Sequence, residues 1–272
     1  MVEQQFPGDF QELTRKISSE RGFGCASYKE KCLRRRIAVR MRARGVHTYV
    51  DYARILDDDA GEYDRLLDAL TINVTKLFRN WEVYASIAAN VVPALWDRPT
   101  PTIRVWSAGC SSGEEPYSLA ILFHHHAAAH GALATIGRVD VLGTDIDRQC
   151  LAGAARGQFE EGDFADTPDE LRSRYFTSER PFTVAPFIRD LVRFDRRDLL
   201  SDPAPPGKFD LIVCRNVLIY FDRETQERLF DTFHYALVPN GFLVLGKVET
   251  LLGAARAKFQ PVDARERIFR RV

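Results

Sequence analysis

The chain has 272 residues, enough for one or two domains with a sizeable core. A hydrophobic content of 45% with 28% charged residues is that of a soluble globular protein, and no apolar run reaches the ~18–20 residues of a membrane span. The formal net charge is +0, and the five cysteines (Cys25, Cys32, Cys110, Cys150, Cys214) form no CxxC or Cys/His cluster, which argues against a structural zinc site and for a reducing compartment. Met1-Val2-Glu3-Gln4-Gln5 lacks the basic-then-apolar layout of a secretory signal, so a cytoplasmic protein is expected.

The zero net charge hides an asymmetry. Nine Lys/Arg lie between Arg21 and Arg44 against one acid, Glu30, whereas Asp51 to Asp68 holds seven acids and two arginines. Such a field bears on partners rather than on fold. The first seventy or so residues read as helices. Ser27 with Glu30 predicts a capping box, Leu33, Ile37 and Met41 an apolar stripe, and Gly45 a stop. Arg36 and Arg40 lie beside the stripe, and Lys31, Arg35 and Arg42 form another row. Further helices are expected over Thr48 to Leu56 and over Glu62 to Leu70, with Leu66, Leu67 and Leu70 inward.

Pro93 to Pro101 is a proline-rich break, after which strands and helices alternate. Strands are predicted over Ile103 to Ser107, Val139 to Thr144, Leu191 to Phe194, Phe209 to Cys214 and Phe242 to Leu245. Two short runs, Phe259 to Val262 and Ile268 to Phe269, suggest a closing hairpin. Helices are expected after the first strand and over Arg223 to Ala236. This pattern predicts an α/β sheet, parallel and covered on both faces, with a terminal antiparallel hairpin, behind a small all-α domain. The expected boundaries are 1–72 for the helical domain, 73–92 for a linker segment, and 93–272 for the sheet domain. The stretch of about 157–189 is too long for a strand connection and reads as a small inserted β-subdomain.

The first strand runs into Gly109-Cys110-Ser111-Ser112-Gly113-Glu114-Glu115-Pro116. A glycine turn there is where doubly wound proteins bind nucleotide-like ligands. Two acids at a helix start repel a pyrophosphate but suit a ligand with a cationic amino group, such as S-adenosyl-L-methionine. They also simply complement the helix dipole, and these residues alone leave both readings open. Asp145 ends the second strand, where an acid takes ribose hydroxyls, although Asp147 nearby can cap a helix. Asp198 follows the third strand, and Cys214-Arg215-Asn216 end the fourth at the same rim. His124-His125-His126 point about 100° apart on a helix, cannot converge on one metal ion, and are expected at the surface.

INVTKLFRN (Ile72 to Asn80), WSAGCSSGEEPYS (Trp106 to Ser118), TDID (Thr144 to Asp147) and FDLIVCRNVLIYFD (Phe209 to Asp222) closely resemble the CheR-type glutamate O-methyltransferases of bacterial chemoreceptors. The likeness covers nearly the whole chain and implies that its α/β sheet is a Rossmann-like class I methyltransferase sheet, binding S-adenosyl-L-methionine. It implies glutamate 5-O-methyl ester formation on the cytoplasmic helical bundle of methyl-accepting chemotaxis receptors, for sensory adaptation. It places Asn73, Thr75 and Arg79 against the cofactor, Glu115 and Glu114 at its methionine end, and Gly109 in the turn. Asp145 would meet the ribose, Asp198 and Leu199 the adenine, and Cys214, Arg215 and Asn216 the strand-four rim. Arg79 and Tyr220 would stand near the transferred methyl. The inserted segment matches a receptor-peptide docking subdomain but is short and has no clear glycine-rich hairpin. Gly246-Lys247-Val248-Glu249 departs from a GxSE-like string while keeping Glu249.

A glutamate, with pKa near ~4.3, is ionised at neutral pH and needs no general base. The lack of a Ser/His/Asp constellation therefore fits. Arg36 and Arg40 are the expected receptor-recognition residues, the alternatives for that helix being a solvated face or nucleic acid. Sparse aromatics and zero net charge disfavour nucleic acid, and no metal or membrane insertion is expected. Two other functions stay open: methylation of another substrate, and a non-catalytic module that binds S-adenosylmethionine in signalling. CRNV, where amino-group methylases carry an NPPY-like string, speaks against the first.

Overall fold

The computed structural model of the chain describes residues 7–71 and 74–272. They form two compact units, one made of the residues before 72 with Tyr220–Thr225, the other of the remainder.

The first unit is helical: α1 (Pro7–Arg21), α2 (Glu30–Ala43), α3 (Tyr49–Asp58) and α4 (Ala60–Leu70). Its core is built from helical-period stripes: Phe10, Leu13 and Ile17; Leu33, Ile37 and Met41; Tyr49, Tyr52 and Leu56; Tyr63, Leu66 and Leu70. Thr48 caps α3 by accepting from the Asp51 amide, and Asp59 caps α4 by accepting from that of Glu62. The chain leaves α2 through Gly45 at φ +67°. The expected capping box at Ser27 does not form. Helix α2 begins at Glu30 after Lys29, with no side-chain cap, and Ser27 closes the short 3-10 turn Cys25–Ser27. The cause is an antiparallel bridge between Tyr28 and Phe221, in which the Lys29 amide donates to the Tyr220 carbonyl and that of Asp222 to Ser27. Glu30, freed of capping, pairs with Arg34 at 2.6 Å.

The second unit opens with α5 (Trp81–Ser86), which passes through a π turn into α6 (Val92–Trp96). Next come β1 (Ile103–Ala108), α7 (Glu114–Ala129), β2 (Val139–Asp145) and α8 (Arg148–Arg156). The insertion holds β3 (Gln158–Phe159), α9 (Asp169–Tyr175), β4 (Phe182–Thr183) and α10 (Pro186–Arg189). It is thus mostly turns and short helices, with one antiparallel pair of two-residue strands. Then follow β5 (Val192–Arg196), β6 (Phe209–Cys214), α11 (Arg223–Ala236), β7 (Leu237–Leu245), α12 (Ala255–Lys258), β8 (Phe259–Asp263) and β9 (Ile268–Arg271).

The seven-stranded sheet has the order β5-β2-β1-β6-β7-β9-β8. Its first five strands are parallel, and β9 runs antiparallel to β7 and β8. The expected closing hairpin is therefore present. Central β6 is buried at every residue, whereas edge strand β5 is half exposed, as a doubly covered parallel sheet requires. Chain order reverses between β1 and β6, and the carboxyl ends of these strands bound the crevice where such sheets take ligands.

Candidate active site

The β1–α7 turn is shaped by left-handed glycines. Gly109 has φ +82°, and an added Cβ would lie 2.6 Å from a Val217 methyl. Gly113 has φ +96° and would bring a Cβ to 2.8 Å from that of Ala154. The Gly109 and Cys110 amides donate to the Thr144 carbonyl, tying the turn to the end of β2. Asp145 continues that tie: its carboxylate accepts from the amides of Ser111 at 2.8 Å and Asp147 at 3.0 Å.

Glu114 and Glu115 open the 16-residue α7, both buried. Burial pushes Glu114 up to about 7, although hydrogen bonds from Ser112 and Thr75 pull it back. Among the described residues Glu114 has no ion-pair partner. Glu115 accepts from Ser107 at 2.8 Å and faces Arg215 at 3.6 Å. Burial raises its pKa, with Arg215, Ser107 and Arg79 opposing. Asp145 is likewise raised by burial. A crevice lined by desolvated carboxylates disfavours phosphate and fits a cationic nucleoside.

Cys214 ends β6, fully buried, and Asn216 follows in the left-handed region at φ +61°. A residue outside the predicted set holds this turn. Buried Glu249 accepts from the amides of Gly246 at 2.6 Å, Asn216 at 3.0 Å and Ile219 at 3.3 Å. Its retention in the Gly246–Glu249 string was the one signal available. Asp198 is buried and caps its own turn, accepting from the Leu200 amide at 2.9 Å and the Ser201 hydroxyl at 3.0 Å, with half-buried Leu199 between. Thr75 reaches Glu114, and Arg79 donates to the Val74 carbonyl at 2.8 Å. Asn73 lies outside the described residues. The structure thus brings Thr75, Arg79, Glu114, Glu115 and Arg215 into one network. Tyr220, half buried, sits in the segment grouped with the first unit.

The two recognition candidates on α2 differ. Arg40 is committed inside the helical unit, forked onto Glu62 at 2.9 and 2.8 Å, while Glu62 also accepts from Tyr52 at 2.9 Å and Arg65 at 3.1 Å. Arg36 is half buried, its Nε without a partner. Lys31, Arg35 and Arg42 are exposed and, among the described residues, unpaired. The histidine run departs from expectation. His124 is buried, its ring stacked on Phe187 and 3.2 Å from the Tyr175 hydroxyl, because α9 and α10 of the insertion cover that face of α7. Among the described residues no cluster of three or more His, Cys, Asp or Glu could hold a metal ion, and no helix is long and apolar enough to cross a membrane.

The sheet order, the glycine turn and the strand-end acid define a Rossmann-like methyltransferase domain behind an all-α domain. Residues 73–268 match the family model described as the CheR methyltransferase, SAM binding domain, and residues 8–71 match the CheR methyltransferase, all-alpha domain. A chemotaxis protein methyltransferase of Listeria monocytogenes is 34% identical over 91% of this chain and 92% of its own. One from Klebsiella aerogenes is 33% identical over 91% and 84%. An uncharacterized 104.1 kDa protein of Rhodobacter capsulatus is 38% identical over 89% of this chain, which spans only 25% of that relative. The chain belongs to the CheR methyltransferase family, and its cofactor is S-adenosylmethionine.

Proposed function

We propose that the chain forms glutamate 5-O-methyl esters on the cytoplasmic helical bundle of chemoreceptors, acting in the cytoplasm in sensory adaptation. The observation that carries this reading is the turn at Glu114, Glu115 and Asp145: two buried acids and a half-buried one where a phosphate ligand would need none, in a CheR-family chain. Glu114, which has no cationic partner among the described residues, takes the cofactor's amino group, with Glu115 behind it. Asp145 takes the ribose. Asp198 and Leu199 border the adenine, Thr75, Gly109, Cys214 and Asn216 complete the lining, and the family pattern assigns Asn73 to the cofactor as well. When bound, S-adenosylmethionine supplies an electrophilic methyl, which a carboxylate oxygen accepts while the C–S bonding pair returns to sulfur.

The acceptor carboxylate is ionised at neutral pH, so the protein's task is alignment and exclusion of water. Arg79 orients the incoming carboxylate, and Tyr220 is assigned to the same step by the family pattern. Receptor recognition falls to the outward row Lys31, Arg35 and Arg42, with Arg36 beside it, since Arg40 is held by Glu62. An acidic helical bundle is the complementary surface. Calorimetry with S-adenosylmethionine tests the cofactor assignment: Asp145→Ala abolishes binding, and equal affinity in wild type and variant would sink the ribose role. Transfer of labelled methyl to a receptor fragment tests the acceptor.

A further inference from the structure

The segment bearing Arg79 has an unusual backbone. Phe78 and Asn80, neither a glycine, adopt φ +52° and φ +60°, so a costly conformation flanks Arg79 on both sides. Such strain persists only where the surroundings over-determine it. Here they do. The Phe78 amide donates to the Ser118 hydroxyl at 2.9 Å, which itself donates to the Glu114 carbonyl at 2.6 Å. From the insertion, the Asp163 carbonyl accepts the Leu77 amide at 2.9 Å, and the Asp166 carboxylate accepts the Asn80 amide at 2.8 Å. From the strand-four rim, Arg215 donates to the Arg79 carbonyl at 2.8 Å and to the Asn80 side-chain oxygen at 3.2 Å.

Arg215 is committed within the protein, only its Nε lacking a partner among the described residues. Its side chain is 2% exposed, and besides Arg79 and Asn80 it meets Glu115 at 3.6 Å and the Tyr84 hydroxyl at 3.4 Å. Arg79, by contrast, is half buried, and its guanidinium donates to the Val74 carbonyl at 2.8 Å.

We propose that Arg215 and Asp166 are positioning residues that clamp the Leu77–Asn80 turn from two separate elements and so set the direction of Arg79. The inference rests on the methyltransferase reading above and adds a role for the insertion, which braces the turn through Asp166. It also reassigns Arg215 from lining the cofactor to acting through Arg79.

Three variants test it. Asp166→Ala removes the acceptor, Asp166→Asn keeps an acceptor oxygen, and Arg215→Lys keeps the charge facing Glu115 but loses the fork. Hydrogen exchange of the Leu77–Asn80 amides is read without cofactor, S-adenosylmethionine affinity by calorimetry, and kcat and acceptor KM from labelled methyl transfer. Asp166→Ala is expected to speed exchange of the Asn80 amide about tenfold and to lower kcat about tenfold, with acceptor KM unchanged. Asp166→Asn restores both, and Arg215→Lys repeats the kcat loss. Wild-type exchange in Asp166→Ala, or a loss that Asp166→Asn fails to restore, overturns the proposal. If the wild type neither binds S-adenosylmethionine nor transfers methyl, the methyltransferase reading falls, and the exchange comparison still decides the clamp.

Discussion

Burial lifts the Glu114 carboxyl to about 7 from an ordinary 4.5, and this has two consequences of opposite sign. Between those values the folded chain keeps a proton that the unfolded chain has lost, so this group's contribution to stability falls as pH rises from about 4.5 to about 7, then levels. A cationic amino group binds the ionised form, so cofactor affinity rises with pH up to about 7, and binding below it releases a proton. Calorimetry in two buffers of different ionisation enthalpy measures that release, and Glu114→Gln should flatten the profile. Glu114, Glu115 and Asp145 were legible as sequence because an acid at a strand end or in a helix's first turn is a local pattern. Ser118 and Asp166 were not, since each accepts an amide 40 or 86 residues away, a pairing only the fold creates, and Glu249 showed only as a residue kept in its string.

Buried apolar runs made the sheet readable, since a strand covered on both faces has little else to be made of. The misreadings fall where a distant element intervenes. Phe221 captures Tyr28 and displaces the Ser27 cap, and the insertion buries His124. Strand β7 begins at Leu237, five residues ahead of the expected Phe242, because Leu237 pairs with Phe209 ahead of a register shift. Arg40 illustrates the same limit: its partner Glu62 lies two helices on. Glu62→Ala should destabilise the helical unit by about 3 kcal/mol, leaving Arg40 and Tyr52 without their shared acceptor, as urea unfolding would show. In the β1–α7 turn, Gly109→Ala meets both a left-handed backbone and the Val217 methyl at 2.6 Å. A loss of about 1–3 kcal/mol in unfolding, with weakened cofactor binding, is expected.

Over the whole molecule the charges sum to zero, yet α2 carries an exposed row of Lys31, Arg35 and Arg42, unpaired among the described residues. A surface field of this kind steers an acidic partner and is screened by salt. Lys31→Glu, Arg35→Glu and Arg42→Glu together should raise acceptor KM about tenfold or more and flatten its ionic-strength dependence, leaving S-adenosylmethionine affinity unchanged. The central claim is methyl transfer to receptor glutamates. Incubation with methyl-labelled S-adenosylmethionine and a chemoreceptor cytoplasmic fragment measures it directly. Label on glutamate side chains, released as methanol in base, is expected; label that withstands base, or none from a chain that binds the cofactor, would contradict ester formation.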